Sequence, residues 1–474
     1  MTAVVDFLNS ILWGYVLVYG LLAVGVFFTV RLGLPQIRHF AEMFRVIRSA
    51  PSTDVAGITP FQALTVSLAS RVGTGNLAGV AVALYLGGAG AIFWMWIVAL
   101  VGMATAYAES TLAQLYKVTN QDGQYRGGPA FYIARGLNSK IAAALFSIAL
   151  ILSFGLVFNA VQANAIASAV EGAFGVPQIA TGLVVAAVAG VVIFGGIPQI
   201  ARVASYVVPF MAIAYVLIAL VVLALNIGEV PAMLATIVQS AFGFEPAAGG
   251  VTGGITAAML NGVKRGLFSN EAGMGSAPNI AACATPQPHH PSSQGFVQAL
   301  GVFIDTLVIC TVTALIILLS GVFEPGSGMT GTKLTQAALA DHIGVAGDYF
   351  IALAILFFAF TSIIGNYSYA ENALTYWGLG GRMPIMVLRA AVLVMVIWGT
   401  LQTVQTVFNT ADASMGVMAT INLVAIVLLS GTVVKLTRDY FAQRRQGREP
   451  QFHGRDYPEL EDKIEHDIWW RSER

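Results

Sequence analysis

Two stretches, AIFWMWIVALVGMATAYA (residues 91–108) and AIAYVLIALVVLALNIG (residues 212–228), contain no charged side chain. As helices, each is long enough to cross about 30 Å of hydrocarbon. Lipid offers backbone N–H and C=O groups no water, so a chain built from such runs is confined to structures that satisfy those groups internally. The composition agrees: 57% of the residues are hydrophobic and 10% charged, where a soluble domain carries about 25% charged residues. The formal net charge is zero and gives no reason to expect a nucleic-acid partner. Cys283 and Cys310 are too few for a disulfide framework. The opening MTAVVDFLNSILWGYV has an Asp but no Lys or Arg ahead of its apolar run. It lacks the basic segment of a cleavable signal and reads as a retained first span.

Apolar runs bounded by Gly, Pro and charge predict eleven spans, near 8–32, 60–86, 89–117, 141–171, 178–197, 203–226, 250–275, 296–322, 347–378, 384–404 and 410–435. With the N-terminus outside, 22 of the 24 Lys and Arg residues, Lys264 and Arg265 among them, are assigned to one side. Lys333 lies opposite and Arg71 lies within a span. The positive-inside bias therefore predicts a multi-pass protein of the cell (inner) membrane, N-terminus out and C-terminus in. The mixed-charge tail beyond residue 435 is expected to be a solvated cytoplasmic segment. His289 and His290, in TPQPHHPSS, read as exposed loop residues, and GQYRGGPAFYIARGL as a re-entrant or interfacial helix.

Two spans are interrupted. The second contains SRVGTGN, with Gly73 and Gly75 flanking Thr74, and the seventh ends in a cluster of Gly266, Ser269, Asn270, Gly273 and Gly275. Setting the first span aside, spans two to six and seven to eleven form two sets of five, and each interrupted helix opens its set. An odd number of helices per set inverts the second relative to the first, and broken helices at matching places point to a transporter's central site. Close packing of small residues is the competing explanation for the glycines. A break exposes N–H groups at the start of the following half-helix, where the helix dipole favours an anion such as a carboxylate. The carbonyls ending the preceding half-helix, near Ala69 and Val72, suit a bare cation.

The segments FQALTVSLASRVGTGNLAGVAVALYLGGAGAIFWMWIVALVGMATAYAESTLA, GVKRGLFSNEAGMGSAPNIAA, FIDTLVICTVTALIIL and AFTSIIGNYSYAENALTYW resemble the alanine or glycine:cation symporter family, over nearly the whole chain to about residue 440. The resemblance implies an all-α integral membrane protein of about eleven transmembrane helices. Its fold would be a 5+5 inverted repeat (LeuT-like) with one extra N-terminal helix. The implied divisions are an extra helix and loop (1–59), a first repeat (60–226), a second repeat (227–435) and a tail (436–474). The motifs imply that Thr74, Gly75 and Asn76 hold a substrate carboxylate, that Gln162 contacts the substrate, and that Phe268 and Ser269 line the pocket, with Phe268 favouring alanine or glycine. They place sodium on the carbonyls of Ala69, Val72 and Phe358 and the hydroxyls of Thr361 and Ser362. Oxygen ligands suit a hard cation, although such hydroxyls often bond back to their own helix.

Charges within spans default to functional hypotheses. Arg71 is expected to pair with Glu271 or Asp305, to supply a fixed charge near the ion, or to face a vestibule. Glu109 and Glu371 read first as helix-end residues. Asn366 departs from the Trp of some relatives and leaves room for serine or another small polar substrate. No nucleophile–base constellation, nucleotide loop or Cys/His metal spacing marks an enzyme, and no cofactor beyond the coupling ion is expected. The reading is a sodium-coupled symporter of alanine and glycine, with Na⁺, the substrate and the lipid bilayer as partners, no nucleic acid, and a monomer as the assembly. A carrier of the same fold coupled to protons, or selective for serine, another small polar amino acid or a nucleobase, is the alternative. A sensor would need a signalling domain, and a channel rings of charge or repeated filter loops.

Overall fold

The computed structural model describes residues 2–48, 54, 56–243, 254–324 and 328–470. The principal helices are α1 (Val4–Arg31), α2 (Pro60–Arg71), α3 (Gly75–Gly87), α4 (Gly90–Leu115), α5 (Lys140–Phe174), α6 (Gln178–Ile193), α7 (Gly196–Leu225), α8 (Ile255–Asn270), α9 (Pro278–Ala282), α10 (Ser292–Leu318), α11 (Val345–Tyr376), α12 (Arg382–Thr400), α13 (Val404–Leu428) and α14 (Ser430–Arg445). Among the described residues, α1, α4, α5, α7, α10, α11, α12 and α13 are long and apolar enough to cross a membrane. The spans expected near 60–86 and 250–275 appear as pairs of pieces, α2 with α3 and α8 with α9. The start of the seventh expected span, residues 250–253, lies outside the described residues. Two helices, Val230–Ala241 and Gly331–Ile343, were not among the expected spans. The GQYRGGPAFYIARGL segment forms a short helix, Pro129–Gly136, against the start of α5.

Burial sorts the bundle. The most apolar windows of α4 and α10 are 67% and 72% buried, against 28% for α7 and for α12. The first pair therefore forms the interior, while the second turns its apolar surface outward, where lipid can solvate it. Helix α2 begins on a capping box: Thr59 Oγ1 accepts from Gln62 N, Gln62 Oε1 accepts from Thr59 N at 3.0 Å, and Pro60 sits where no helical N–H is needed.

The tail is not a solvated appendage. Trp469 is fully buried and its indole N–H donates to the Leu115 carbonyl at the end of α4, 3.0 Å away. Phe452 N donates to the His289 carbonyl at 2.8 Å, His290 lies 3.3 Å from Asp439 of α14, and Arg135 pairs with Glu465 at 2.7 Å. Tyr440 donates to Glu42 at 2.8 Å. Apolar anchors in the tail, Phe452, Leu460, Ile464, Ile468 and Trp469, outweigh the charges between them, which composition alone had made the dominant feature. His290 is therefore buried and His289 partly so, rather than exposed.

Burial lowers the His289 pKa from 6.5 to about 4, helped by the nearby Lys117 charge, and burial also lowers that of His290. A histidine depressed in the docked state contributes stability above its free value and loses it as pH falls toward the depressed one. Tail docking is thus expected to hold at neutral pH and loosen progressively as pH falls from about 6.5 to about 4. Limited proteolysis of the tail across that range checks this; a cleavage rate that does not rise on acidification would contradict it.

Candidate functional site

The ladder of α2 stops because its next amides are turned to side chains. Gly73 N donates to Asn76 Oδ1 at 2.9 Å, Thr74 N donates to Gln162 Oε1 at 3.0 Å, and Asn76 N turns back to the Gly73 carbonyl at 3.2 Å. The carbonyls of Ala69, Ser70 and Val72 are consequently without the amides four residues on that a continuous helix would give them. Val72 is extended, with ψ 90°. The Thr74 hydroxyl also donates to Gln162 Oε1, at 2.8 Å. A Cβ on Gly73 would lie 2.8 Å from Gln162 Oε1 and overlap Ser362 Oγ, so one of these side chains would have to move.

The second break follows α8. Glu271 takes a left-handed conformation (φ 58°), which carries strain for a residue with a Cβ, and Gly273 and Gly275 have φ 86° and 82°. The freed amides of Gly273 and Gly275 donate to the two carboxylate oxygens of Glu109, at 3.2 and 3.1 Å. Asn422 Nδ2 adds a third donor to Glu109, at 2.7 Å, and also donates to the Gly273 carbonyl. Glu109 is thus the anion on which the second break is wound, one α4 face away from the helix-end role expected of it.

The two breaks touch. A Cβ on Gly75 would stand 3.1 Å from Ser269 Cα and 3.2 Å from the Phe268 ring. Asp305 of α10 joins them: it accepts from Asn76 Nδ2 at 2.7 Å, Ser269 Oγ at 2.8 Å and Thr306 Oγ1 at 2.7 Å. Ser70, at the end of α2, lies 2.7 Å from Glu271 Oε1 and 2.6 Å from Asn366 Oδ1. Phe268 stacks on Phe158 (4.8 Å) and tilts against Phe408 (5.2 Å), and Arg265 stands over the Phe268 and Phe408 rings at 5.6 and 5.1 Å. Arg265 is paired with Asp412, which Lys264 also reaches at 2.7 Å. Lys264 and Arg265 therefore sit inside α8, sharing the Asp412 carboxylate of α13. They do not belong with the loop charges counted from sequence.

The residues expected around a cation lie on facing stretches of α2 and α11. Ser362 abuts Gly73, and Gly365 is so close to Ser70 that a Cβ would come within 3.0 Å of its backbone N. Thr361 Oγ1 and Ser362 Oγ both donate to the Phe358 carbonyl, at 2.9 and 3.0 Å, the back-bonding anticipated for helical hydroxyls. Of the residues expected around the substrate, Thr74 and Gln162 are in direct contact. Gly75 meets Phe268 and Ser269, and both ends of the Asn76 amide are engaged within the protein. All six are buried.

Two expectations change. Arg71 makes no ion pair within 4 Å among the described residues; its Nη1 donates to the Gln298 carbonyl at 3.2 Å, while Nε and Nη2 are buried without a hydrogen-bond partner. Asn366 does not open a polar pocket, since its amide is held by Ser70 and by Asn159 Oδ1 at 3.1 Å. Ser70 and Asn159 went unnoticed in the sequence. A serine one turn before a break and an asparagine beside a buried asparagine carry no pattern that separates them from ordinary helix polars.

Residues 1–454 match the sequence profile of the sodium:alanine symporter family. A probable sodium/glutamine symporter of Bacillus subtilis (strain 168) is 48% identical over 451 residues, covering 95% of this chain and 93% of that protein. A sodium/alanine symporter of Methanococcus maripaludis is 39% identical over 447 residues, covering 92% and 97%. A crystal structure of the manganese transporter of Eremococcus coleocola superposes with a TM-score of 0.51 over 81% of both chains at 13% identity, a likeness of fold alone.

Because Glu109 gathers three donors, Glu109→Gln sets its amide NH2 against at least one of them, Gly273 N when its oxygen keeps Gly275 N and Asn422 Nδ2. A buried donor left unpaired costs about 1–3 kcal/mol, so this variant is expected to melt several degrees lower in detergent than the parent. An unchanged melting temperature would mean that the second break does not depend on Glu109.

Proposed function

This chain belongs to the sodium:alanine symporter family, and from that premise we propose that it is a Na⁺-coupled symporter of small neutral amino acids, alanine first and glycine next. A multi-pass, cation-coupled amino-acid transporter is the coarse form of this reading; the substrate, the ion and the topology are its finer parts. The topology proposed is eleven spans in a 5+5 inverted repeat (residues 60–226 and 227–435) behind an extra N-terminal helix (1–59). It would sit in the cell membrane as a monomer, with the N-terminus outside and the tail inside.

The observation that carries the reading is the contact of Thr74 N and Oγ1 with Gln162 Oε1. Here the start of a half-helix offers two donors to one exchangeable oxygen. A carboxylate oxygen has the same charge preference and geometry, and a half-helix N-terminus favours it further. Once displaced, Gln162 can turn its amide oxygen to an α-ammonium. Gly75 lets the substrate approach the backbone, Asn76 fixes the break through its bonds to Gly73 and Asp305, and Ser269 and Phe268 close the opposite wall. The Phe158–Phe268–Phe408 stack leaves the α-carbon little room for a long side chain. The carbonyls of Ala69 and Val72, released from helical pairing, supply oxygens for sodium with Phe358, Thr361 and Ser362. Sodium on these ligands would tie α2 to α11 and preform the substrate amides. Substrate binding would then allow one repeat to rock against the other.

Sodium-gradient-driven uptake of labelled alanine into proteoliposomes tests the reading, and equal uptake without the gradient would remove sodium coupling. The relative named a sodium/glutamine symporter makes glutamine the competitor to include; stronger inhibition by glutamine than by glycine would reassign the substrate. Gln162→Ala is expected to weaken alanine uptake by about tenfold or more, the loss of a hydrogen-bonded contact to a charged group. Thr361→Ala is expected to raise the sodium concentration for half-maximal uptake several-fold with less effect on alanine. An unchanged sodium dependence would place the ion elsewhere.

A further inference from the structure

Three carboxyl groups are buried at the two breaks, and their hydrogen-bond environments differ. Glu109 accepts from Gly273 N, Gly275 N and Asn422 Nδ2, and Asp305 accepts from Asn76, Ser269 and Thr306. Every partner is able to donate, so both groups are complete as carboxylates. Glu271 is not.

The direction of the bonds around Glu271 is fixed from a distance. The Gly155 carbonyl can only accept, so Asn159 must turn its Nδ2 toward it, at 2.9 Å. That leaves Asn159 Oδ1 to accept from Asn366 Nδ2 at 3.1 Å, and leaves Asn366 Oδ1 facing Ser70 Oγ at 2.6 Å. An amide oxygen cannot donate, so the single Ser70 hydroxyl proton must go to Asn366. Ser70 Oγ is nevertheless 2.7 Å from Glu271 Oε1, a hydrogen-bond distance. With the serine proton spent, this contact needs a proton on the carboxyl oxygen. The other oxygen, Oε2, accepts from Ser276 Oγ at 2.6 Å, so a neutral acid satisfies every group in the chain. An ionised one leaves two oxygens pressed together without a hydrogen, in a buried site where that costs most.

We propose that Glu271 is a proton-binding site: in this conformation it is a neutral carboxylic acid that donates to Ser70, and its proton joins the two breaks to α11. The O–H bond forms as Glu271 Oε1 takes one proton from a hydronium ion of the solvent and releases water, and no other protein group changes. When α2 and α8 move apart, the Ser70 contact opens, Glu271 meets water and the proton leaves to solvent. The groups facing Glu271 are Arg71 on α2, Asp305 on α10 and Tyr369 on α11, while Glu109 on α4 holds the same turn through Gly273 and Gly275. A neutral Glu271 accords with Arg71 making no pair with it. It leaves Arg71 against two carboxylates, Glu109 and Asp305, a single net negative charge that one sodium ion would balance.

The test rests on the transport reading above, and its arms separate the two. Sodium-driven alanine uptake is measured with equal pH on both sides, from about pH 5 to about pH 9, in the parent and in Glu271→Gln. The amide keeps both hydrogen bonds but carries no exchangeable proton. The parent is expected to lose uptake on the alkaline side, by up to about tenfold per pH unit, and the variant to stay level. A parent that stays level, or a variant that keeps the parent's slope, overturns the proposal. Absence of uptake in the parent at any pH counts against the transport reading instead. The infrared spectrum of the purified protein then decides the proton: the carbonyl band of a neutral buried acid is expected in the parent and missing in the variant, and its absence from the parent overturns the proposal.

Discussion

Everything at the centre of this molecule follows from the cost of an unpaired peptide group away from water. Two helices are interrupted inside the bundle, and each freed amide has been given a specific oxygen: Asn76 for Gly73, Gln162 for Thr74, Glu109 for Gly273 and Gly275. These acceptors come from separate helices, so holding the breaks open also holds the helices together. Asp305 extends the same logic, drawing Asn76 of the first break and Ser269 of the second onto one carboxylate. The broken segments are therefore firmly held although their backbone is irregular.

Much of this was legible in the sequence. The uncharged runs, the Gly-Thr-Gly-Asn interruption and the Gly cluster after residue 266 located both breaks, because glycine within an apolar span and polar side chains beside it have few other uses. The chemistry of Thr74 with Gln162, 88 residues apart, needed a family resemblance, since nothing in local periodicity joins them. The wrong assignments share a cause. Sequence shows Lys264 and Arg265 only as two charges, but both are held inside the bundle by Asp412, distant in sequence. The sequence places Arg71 among carboxyl groups, yet Asn76, Ser269 and Thr306 already donate to Asp305 and Ser276 donates to Glu271. The tail was read by its charges rather than by Phe452, Ile468 and Trp469, whose spacing fits no regular helix. One-dimensional patterns show which residues are apolar or charged; they do not show which partner has already claimed them.

The charges that remain are arranged asymmetrically. On one side of the breaks, Arg265 and Lys264 meet Asp412 above the Phe268 and Phe408 rings. At the other end of α4, Lys117 lies over the Tyr125 ring at 3.8 Å and near Trp469 of the tail at 5.4 Å. Each end thus combines aromatic rings with a cation whose charge they partly shield.

The position of Gln162 also bears on energetics. Its amide oxygen already occupies both donors of Thr74, so a carboxylate binding there, as proposed, would replace one acceptor with another and rescue no orphan. The net gain is a difference between two similar bonds, small beside the full strength of either. Affinity at the proposed site would thereby be held down, and release on the far side would not climb out of a deep well. A side chain acting as a placeholder favours throughput over tight retention.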